Sequence, residues 1–285
     1  MSRPTLFLWG AGLIGGSLGM ALRRAGAVQA VIGCDPQPDP AAVTLGAVDR
    51  FVADPLEALA VADVVLLAGP VQAIIDQAAT YGRHIRPGTV VTDVGSTKEA
   101  IVAAWERHLP EGAAFVGGHP LFGREVSGVA NASPDLPAGR RYLLTPGARS
   151  TPAAIATVQQ LAEAAGCQVQ LLSPADHDRR LATTSHLPQL AATALAATAL
   201  AADEADPGLL ALAATGFRDT TRLAASPAEI WTDILLTNAE AAGAALTRYR
   251  QVLDDLATAI ATGDGATIAR VFHQANTAHA RRNQP

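Results

Sequence analysis

The chain has 285 residues, 49% hydrophobic and 16% charged, with a formal net charge of −5. That composition excludes a disordered chain, and the acidic balance without any basic run argues against a nucleic-acid surface. Cys34 and Cys167 are the only cysteines, too few for a disulfide framework and in keeping with a reducing cytoplasm. The length accommodates two domains.

Thr5–Trp9 reads as a short apolar strand, followed at once by Gly10-Ala-Gly12-Leu13-Ile14-Gly15. Glycines so spaced let the backbone approach a pyrophosphate, and the next helix, to about Ala25, offers its N-terminal amides. The same spacing accounts for the apolar N-terminus better than an export signal does. A second strand, Ala30–Cys34, ends at Asp35, about 20 residues past Gly15, where a carboxylate can accept hydrogen bonds from the adenosine ribose hydroxyls. Pro-Gln-Pro-Asp follows Asp35, with no arginine to receive a 2′-phosphate, so NAD is expected over NADP.

Strand and helix patterns then alternate. Asp63–Ala68 is a continuous apolar run suited to a parallel strand covered on both faces; it ends at Gly69-Pro70, before a helix to about Arg83. Thr89–Thr92 opens into Asp93-Val-Gly-Ser96-Thr-Lys98 and another helix. Lys98 is the only lysine among 21 basic residues. The run Ala113–Val116 is expected to stop at Gly117-Gly118 and present His119, Pro120, Phe122, Arg124 and Glu125 from a loop. Further strands are read at Arg141–Thr145 and Gln168–Leu172, flanking a helix that starts at Ser150-Thr-Pro152 and closes at Gly166. In an open parallel sheet ligands sit beyond the carboxyl ends of the strands, so the glycine turn, Gly69-Pro70, Ser96 and His119 can share one crevice. At this level His119 is equally an ordinary loop histidine, and Ser96 a plain helix cap.

After Leu172 the strand signal stops. Ser173-Pro174-Ala-Asp176 starts a helix, and the mostly alanine stretch Leu190–Ala202 is too short to span a bilayer. Ser226-Pro227-Ala-Glu229 has the capping-box spacing and is expected to begin a long helix through about Asp255. Gly263-Asp-Gly265 breaks it before a final helix toward Arg281. The expected organisation is an α/β Rossmann-type dinucleotide-binding domain, residues 1–172, followed by an all-α domain, residues 173–285. The helical half contributes His177-Asp178, then Thr184-Ser185-His186-Leu-Pro188, then Gly216-Phe-Arg218-Asp219-Thr-Thr-Arg222. His186, just before a proline, lies where carbonyls are left unpaired and can simply satisfy one. No HxxxH or HExxH spacing is present, so no metal is expected. Arg218 and Arg222, four apart, would share a helix face. That face is either solvated or paired with Asp219, or it meets the cleft, where guanidinium suits a carboxylate.

Taken together, these segments resemble the prephenate/arogenate dehydrogenase family of tyrosine biosynthesis. The matching pieces are GAGLIGGS at Gly10–Ser17, DVGSTK at Asp93–Lys98, GHPLFGREVSG at Gly118–Gly128, HDRRLATTSHLP at His177–Pro188 and GFRDTTRLAASPAEIW at Gly216–Trp231. The resemblance implies NAD-dependent oxidative decarboxylation of prephenate or arogenate, with loss of hydride from C4, loss of the 4-hydroxyl proton and departure of the ring carboxylate as CO₂. It implies that His119 takes the hydroxyl proton, with Ser96 near His119 and the nicotinamide. His186 would orient the substrate, Arg222 would hold a substrate carboxylate and Glu125 would bound the pocket. A neutral imidazole with an ordinary pKa near ~6.5 suits a general base at neutral pH.

Phe122 stands where members of that family often carry a smaller residue, and Gln189 where a second histidine often follows SHLP. Both bear on substrate preference more than on reaction type. Glu229 resembles a position where related enzymes place an acid or an amide; an acid there would favour the ammonium of arogenate, unless Glu229 only completes the capping box. With no chorismate mutase extension or regulatory domain expected, inhibition by tyrosine would act at the active site. Other readings are a dehydrogenase of amino-substituted prephenate, a β-hydroxyacid dehydrogenase and a non-catalytic NAD-sensing protein. The second needs a catalytic lysine in the helical half, which has none. The alanine-rich helical half is expected to dimerise, and no membrane partner is expected.

Overall fold

Apolar residues alternate along β1 (Thr5–Trp9) between two packing layers, which makes it the centre of a sheet covered on both sides. Leu6 and Leu8 join one buried cluster and Phe7 and Trp9 the other. The computed structural model describes residues 3–123 and 126–282. They fall into two compact units, Met1–Ala239 and Glu240–Pro285.

In the first unit the chain runs β1, α1 (Leu13–Arg24), β2 (Ala30–Cys34), α2 (Ala41–Thr44), β3 (Arg50–Phe51), α3 (Pro55–Leu59), β4 (Val64–Leu67) and α4 (Val71–Tyr81). It continues through β5 (Val90–Asp93), α5 (Glu99–His108), β6 (Ala114–Pro120), β7 (Arg141–Pro146), α6 (Pro152–Ala164) and β8 (Gln168–Leu171). The eight strands form one sheet in the order β3-β2-β1-β4-β5-β6-β7-β8. The pairings are parallel except β6 with β7, where Gly118 faces Leu144 and His119 faces Leu143. Residues of α1 and α6, including Leu18, Leu22, Val158 and Ala162, pack on one face. Residues of α4 and α5, including Ile74, Ala78, Ile101 and Trp105, pack on the other.

From Pro174 onward every regular element is a helix among the described residues. These are α7 (Pro174–Leu181), α8 (Leu187–Ala205), α9 (Thr215–Thr221) and α10 (Ala228–Thr237), followed by α11 (Ala239–Thr262) and α12 (Gly265–Arg282). The Ser173 side chain caps α7 by accepting from the Asp176 amide. Between α7 and α8, Ala182–His186 forms a π-helical turn. Pro188 lacks an amide hydrogen, so the ordinary four-residue ladder cannot be completed there, and the wider turn sets His186 in a buried position. Ile234 of α10 joins the buried cluster that holds α4 and α5. In the second unit, α11 and α12 are separated at Gly263, whose φ of +68° only glycine adopts readily.

Three local expectations need correction. β6 does not stop at Val116; it runs to Pro120, so His119 is a strand residue and not a loop residue. The glycines are strand positions too, because a Cβ at Gly117 would strike Thr145 and one at Gly118 would strike the Asp93 carbonyl and the Tyr142 ring. The helix expected from Ser226 to Asp255 is broken at Asn238, whose backbone (φ −128°, ψ 37°) is not helical. Its N-cap is Pro227 with no side-chain cap bond, so the Ser226/Glu229 capping box does not form. Ser96 does not cap α5 either. Lys98 occupies the cap position, and its amide and that of Glu99 are capped from a distance by Asp178. The short β3 and helices α2 and α3 were not anticipated.

Candidate active site

The glycine turn between β1 and α1 fits a dinucleotide pyrophosphate. Gly10 has φ +101°, and a Cβ there would lie 2.6 Å from the Ala68 carbonyl oxygen. A Cβ on Gly15 would strike the Gly10 carbonyl, whereas Gly12 meets nothing within 4 Å. The tight turn, open approach and close helix packing are the three jobs these glycines perform in dinucleotide folds. Gly12 caps α1 without a side-chain bond, which leaves the first amides of the helix, at Leu13 and Ile14, for an anion. Asp35, just past β2, accepts from the Ala11 amide at 3.0 Å and the Gln37 amide at 2.9 Å. It therefore ties the glycine turn to β2 and keeps further lone pairs for ribose hydroxyls. Gly69 and Pro70 sit where β4 passes into α4, with Pro70 at the helix cap position.

Next along the sheet edge, the only lysine is fully buried. Lys98 Nζ pairs with Asp93 Oδ2 and donates to the Gly118 carbonyl at 2.7 Å. Asp93 Oδ1 accepts from the Gly118 amide at 2.9 Å, and Oδ2 from the Gly95 amide at 2.7 Å. Burial pulls the Lys98 pKa down, and Asp93 acts against that pull. This pair locks the end of β5 and the start of α5 to β6, one residue before His119.

His119 is half-buried, and its Nδ1 lies 2.8 Å from Nε2 of His177. His177 is fully buried, and its Nδ1 lies 2.7 Å from Asp178 Oδ1. Asp178 Oδ1 also accepts from the Lys98 amide at 2.8 Å, and Oδ2 from the Glu99 amide at 2.9 Å. Burial holds the His119 pKa well below the usual histidine value, reinforced by the nearby positions of His177, Lys98 and His186. His119 is therefore a neutral imidazole at pH 7.

His186 has a different partner. Asn238 Nδ2 donates to the Asp178 main-chain carbonyl at 2.9 Å, which fixes the orientation of its amide group. The same nitrogen lies 3.2 Å from His186 Nδ1, so that ring nitrogen is the acceptor and Nε2 carries the hydrogen. Trp231 of α10 meets the His186 ring edge-on, with centroids 6.0 Å apart. Burial pushes the His186 pKa down to about 4.

Ser96, partly exposed, lies between the Asp93 turn and α5. Arg218 is in α9 and exposed. Arg222, also exposed, caps that helix with helical dihedrals and opens a 3-10 turn, Arg222–Ala225. Gln189 is buried and donates to the Leu223 carbonyl of that turn at 2.8 Å. Glu229 is in the first turn of α10 and exposed. Phe122 packs against the α1 side of the core. Arg124 and Glu125 lie outside the described residues. The sequence singles out His177-Asp178 without giving either residue a role, and it passes over Asn238 altogether. A hint was present in the adjacent His177-Asp178 pair, but nothing local marks Asn238.

Against this geometry, comparison with known proteins is decisive. The family model described as "Prephenate dehydrogenase, nucleotide-binding domain" matches residues 18–171, and "Prephenate dehydrogenase, dimerization domain" matches residues 173–274. The chain belongs to the prephenate dehydrogenase family. A prephenate dehydrogenase of Bacillus subtilis is 32% identical over 278 residues, covering 96% of this chain and 74% of that protein. The crystal structure of prephenate dehydrogenase from Aquifex aeolicus in complex with hydroxyphenyl propionate and NAD⁺ matches with a TM-score of 0.92 at 29% identity, covering 99% of each chain. The Synechocystis arogenate dehydrogenase matches with a TM-score of 0.82 at 33% identity, covering 98% of this chain and 99% of that one.

Proposed function

We propose that this member of the prephenate dehydrogenase family catalyses NAD-dependent oxidative decarboxylation of arogenate, prephenate or both, giving tyrosine or 4-hydroxyphenylpyruvate. The observation that carries the reading is His119: a neutral imidazole fixed at Nδ1 on the sheet edge that also carries the glycine turn. Nε2 of His119 accepts the 4-hydroxyl proton as C4 becomes a carbonyl carbon; loss of the ring carboxylate as CO₂ then leaves a phenolate, which takes that proton back to give the phenol. NAD⁺, when bound, supplies the oxidation by accepting the hydride from C4. Gly10, Gly12, Leu13, Ile14 and Gly15 would hold its pyrophosphate, Asp35 its ribose, and Gly69, Pro70 and Ser96 its nicotinamide half. The carboxylate of Asp35 and the lack of a basic residue after it favour NAD over NADP.

His186, protonated at Nε2, donates to substrate and cannot serve as a second base at neutral pH. Arg222, with Arg218 one helical turn earlier, supplies guanidinium for a substrate carboxylate. Glu229, free of any capping box, biases the enzyme toward the ammonium group of arogenate. We assign residues 1–172 to cofactor binding and residues 173–285 to substrate binding and homodimerisation. The exposed Leu212, Leu236, Ile260 and Phe272 support the second role. No helix among the described residues is long and apolar enough to cross a membrane, and the two buried, unpaired cysteines fit a cytoplasmic setting.

The test is NAD⁺ reduction measured side by side with arogenate and prephenate. NADH formation with one CO₂ per turnover, faster with arogenate, is expected. Inactivity with both would refute the assignment, and equal kcat/KM would remove the role of Glu229.

A further inference from the structure

The reaction requires one base, yet that base is attached to a buried histidine and a buried aspartate that never meet the substrate in the mechanism above. The hydrogen-bond pattern along Asp178, His177 and His119 admits only one arrangement of protons for a carboxylate and two neutral rings. Asp178 accepts from the main-chain amides of Lys98 and Glu99 at the start of α5, which can only donate, and these orient its carboxylate. Its Oδ1 faces His177 Nδ1 at 2.7 Å, so that nitrogen carries the hydrogen. A neutral His177 then has only a lone pair on Nε2, 2.8 Å from His119 Nδ1. His119 must carry its own hydrogen on Nδ1, which leaves the lone pair on Nε2. An imidazole without such a partner favours the opposite tautomer in water, with the hydrogen on Nε2, and could not accept the substrate proton.

We propose that His177 and Asp178 are positioning residues that hold His119 in the Nδ1–H tautomer and so create the base. When the hydroxyl proton arrives at His119 Nε2, the new imidazolium keeps donating from Nδ1 to His177, and Asp178 supplies the compensating negative charge through the His177 ring. No proton within the Asp178–His177–His119 chain changes place. Among the described residues, the other charged or titratable groups facing this chain are Lys98 at the α5 cap, Asp93 of β5 and His186 of the π-helical turn. Burial lowers the His177 pKa, in keeping with a neutral ring that accepts at Nε2. Tautomer control by the hydrogen bond on the other ring nitrogen is a general property of histidine.

The inference rests on His119 being the base, but its primary test needs no substrate. Long-range ¹⁵N–¹H correlation spectra of the full-length protein labelled at histidine read each tautomer directly, with His119→Asn and His177→Gln giving the assignments. His119 and His177 should both be protonated at Nδ1 near pH 7.5, and His186 at Nε2. His177→Phe removes the acceptor and should move the His119 proton to Nε2, with kcat lower by about 10²- to 10⁴-fold and NAD⁺ affinity unchanged. His177→Gln offers a carbonyl oxygen in the same place and should keep the Nδ1–H tautomer and most of the rate. An Nε2–H signal for wild-type His119, or a His177→Phe enzyme with wild-type kcat, would overturn the inference. A normal rate in His119→Asn would instead refute the base assignment and leave the tautomer result standing.

Discussion

His119 and His186 both depend on Asp178, but through opposite chemistry. His119 reaches the Asp178 carboxylate through a second imidazole, whereas His186 reaches the Asp178 main-chain carbonyl through the amide of Asn238. A carboxylate at the end of the chain makes every ring a donor toward it and leaves a lone pair at the far nitrogen. An amide nitrogen at the end makes the ring an acceptor and leaves a hydrogen there. One residue at the start of the helical region thus gives two neutral histidines, one half-buried and one buried, opposite capacities: one takes a proton and the other offers a hydrogen bond. Burial alone would have made them alike.

Removing the proton acceptor should have the largest effect. His119→Asn should lower kcat by roughly 10²- to 10⁴-fold while NAD⁺ affinity stays as in wild type, by stopped-flow and titration. Lys98→Met should leave Asp93 buried without its cation and cost about 3–5 kcal/mol of stability, read from urea unfolding. The His186 side responds to pH. Its unfolded-state pKa near ~6.5 exceeds the folded value of about 4, so between these limits the unfolded chain binds more protons. Stability is therefore expected to fall as pH drops through that window, by up to ~3 kcal/mol from this residue, and His186→Gln should flatten that slope in unfolding measured from pH 7 to 4. Asn238→Ala should weaken substrate selection more mildly, raising KM about tenfold with a smaller change in kcat, because it removes one neutral hydrogen bond from each of two acceptors.

Much of the dinucleotide half was legible in sequence because its signals are local. Short, largely apolar strands such as β1 and β4 and a Gly10-Gly12-Gly15 turn need no distant information. β3 has two residues, too few for any periodicity. His119 was misplaced into a loop because glycines adjoining His-Pro look like a turn, when in fact the space for their side chains is filled by Thr145, Asp93 and Tyr142. The break in the long helix at Asn238 carries no glycine or proline, and its cause is tertiary: the side chain is held by a carbonyl 60 positions away. The bonds that define the His119 environment span 58 and 80 positions, beyond the reach of any motif. Lys98 was marked only by its solitude, which the buried ion pair now explains.

His119 is an acceptor kept neutral because burial holds its pKa well below the usual histidine value. The pH dependence of kcat/KM, compared between wild type and His119→Asn, tests this most directly. Because His119 and His177 share a hydrogen, any acid limb belongs to the pair and not to one ring. The wild-type profile should be level through neutral pH and decline only well below pH 6.5, as the pair takes up a proton, and the variant should lose both the rate and that decline. An acid limb that persists unchanged in His119→Asn would place the base elsewhere.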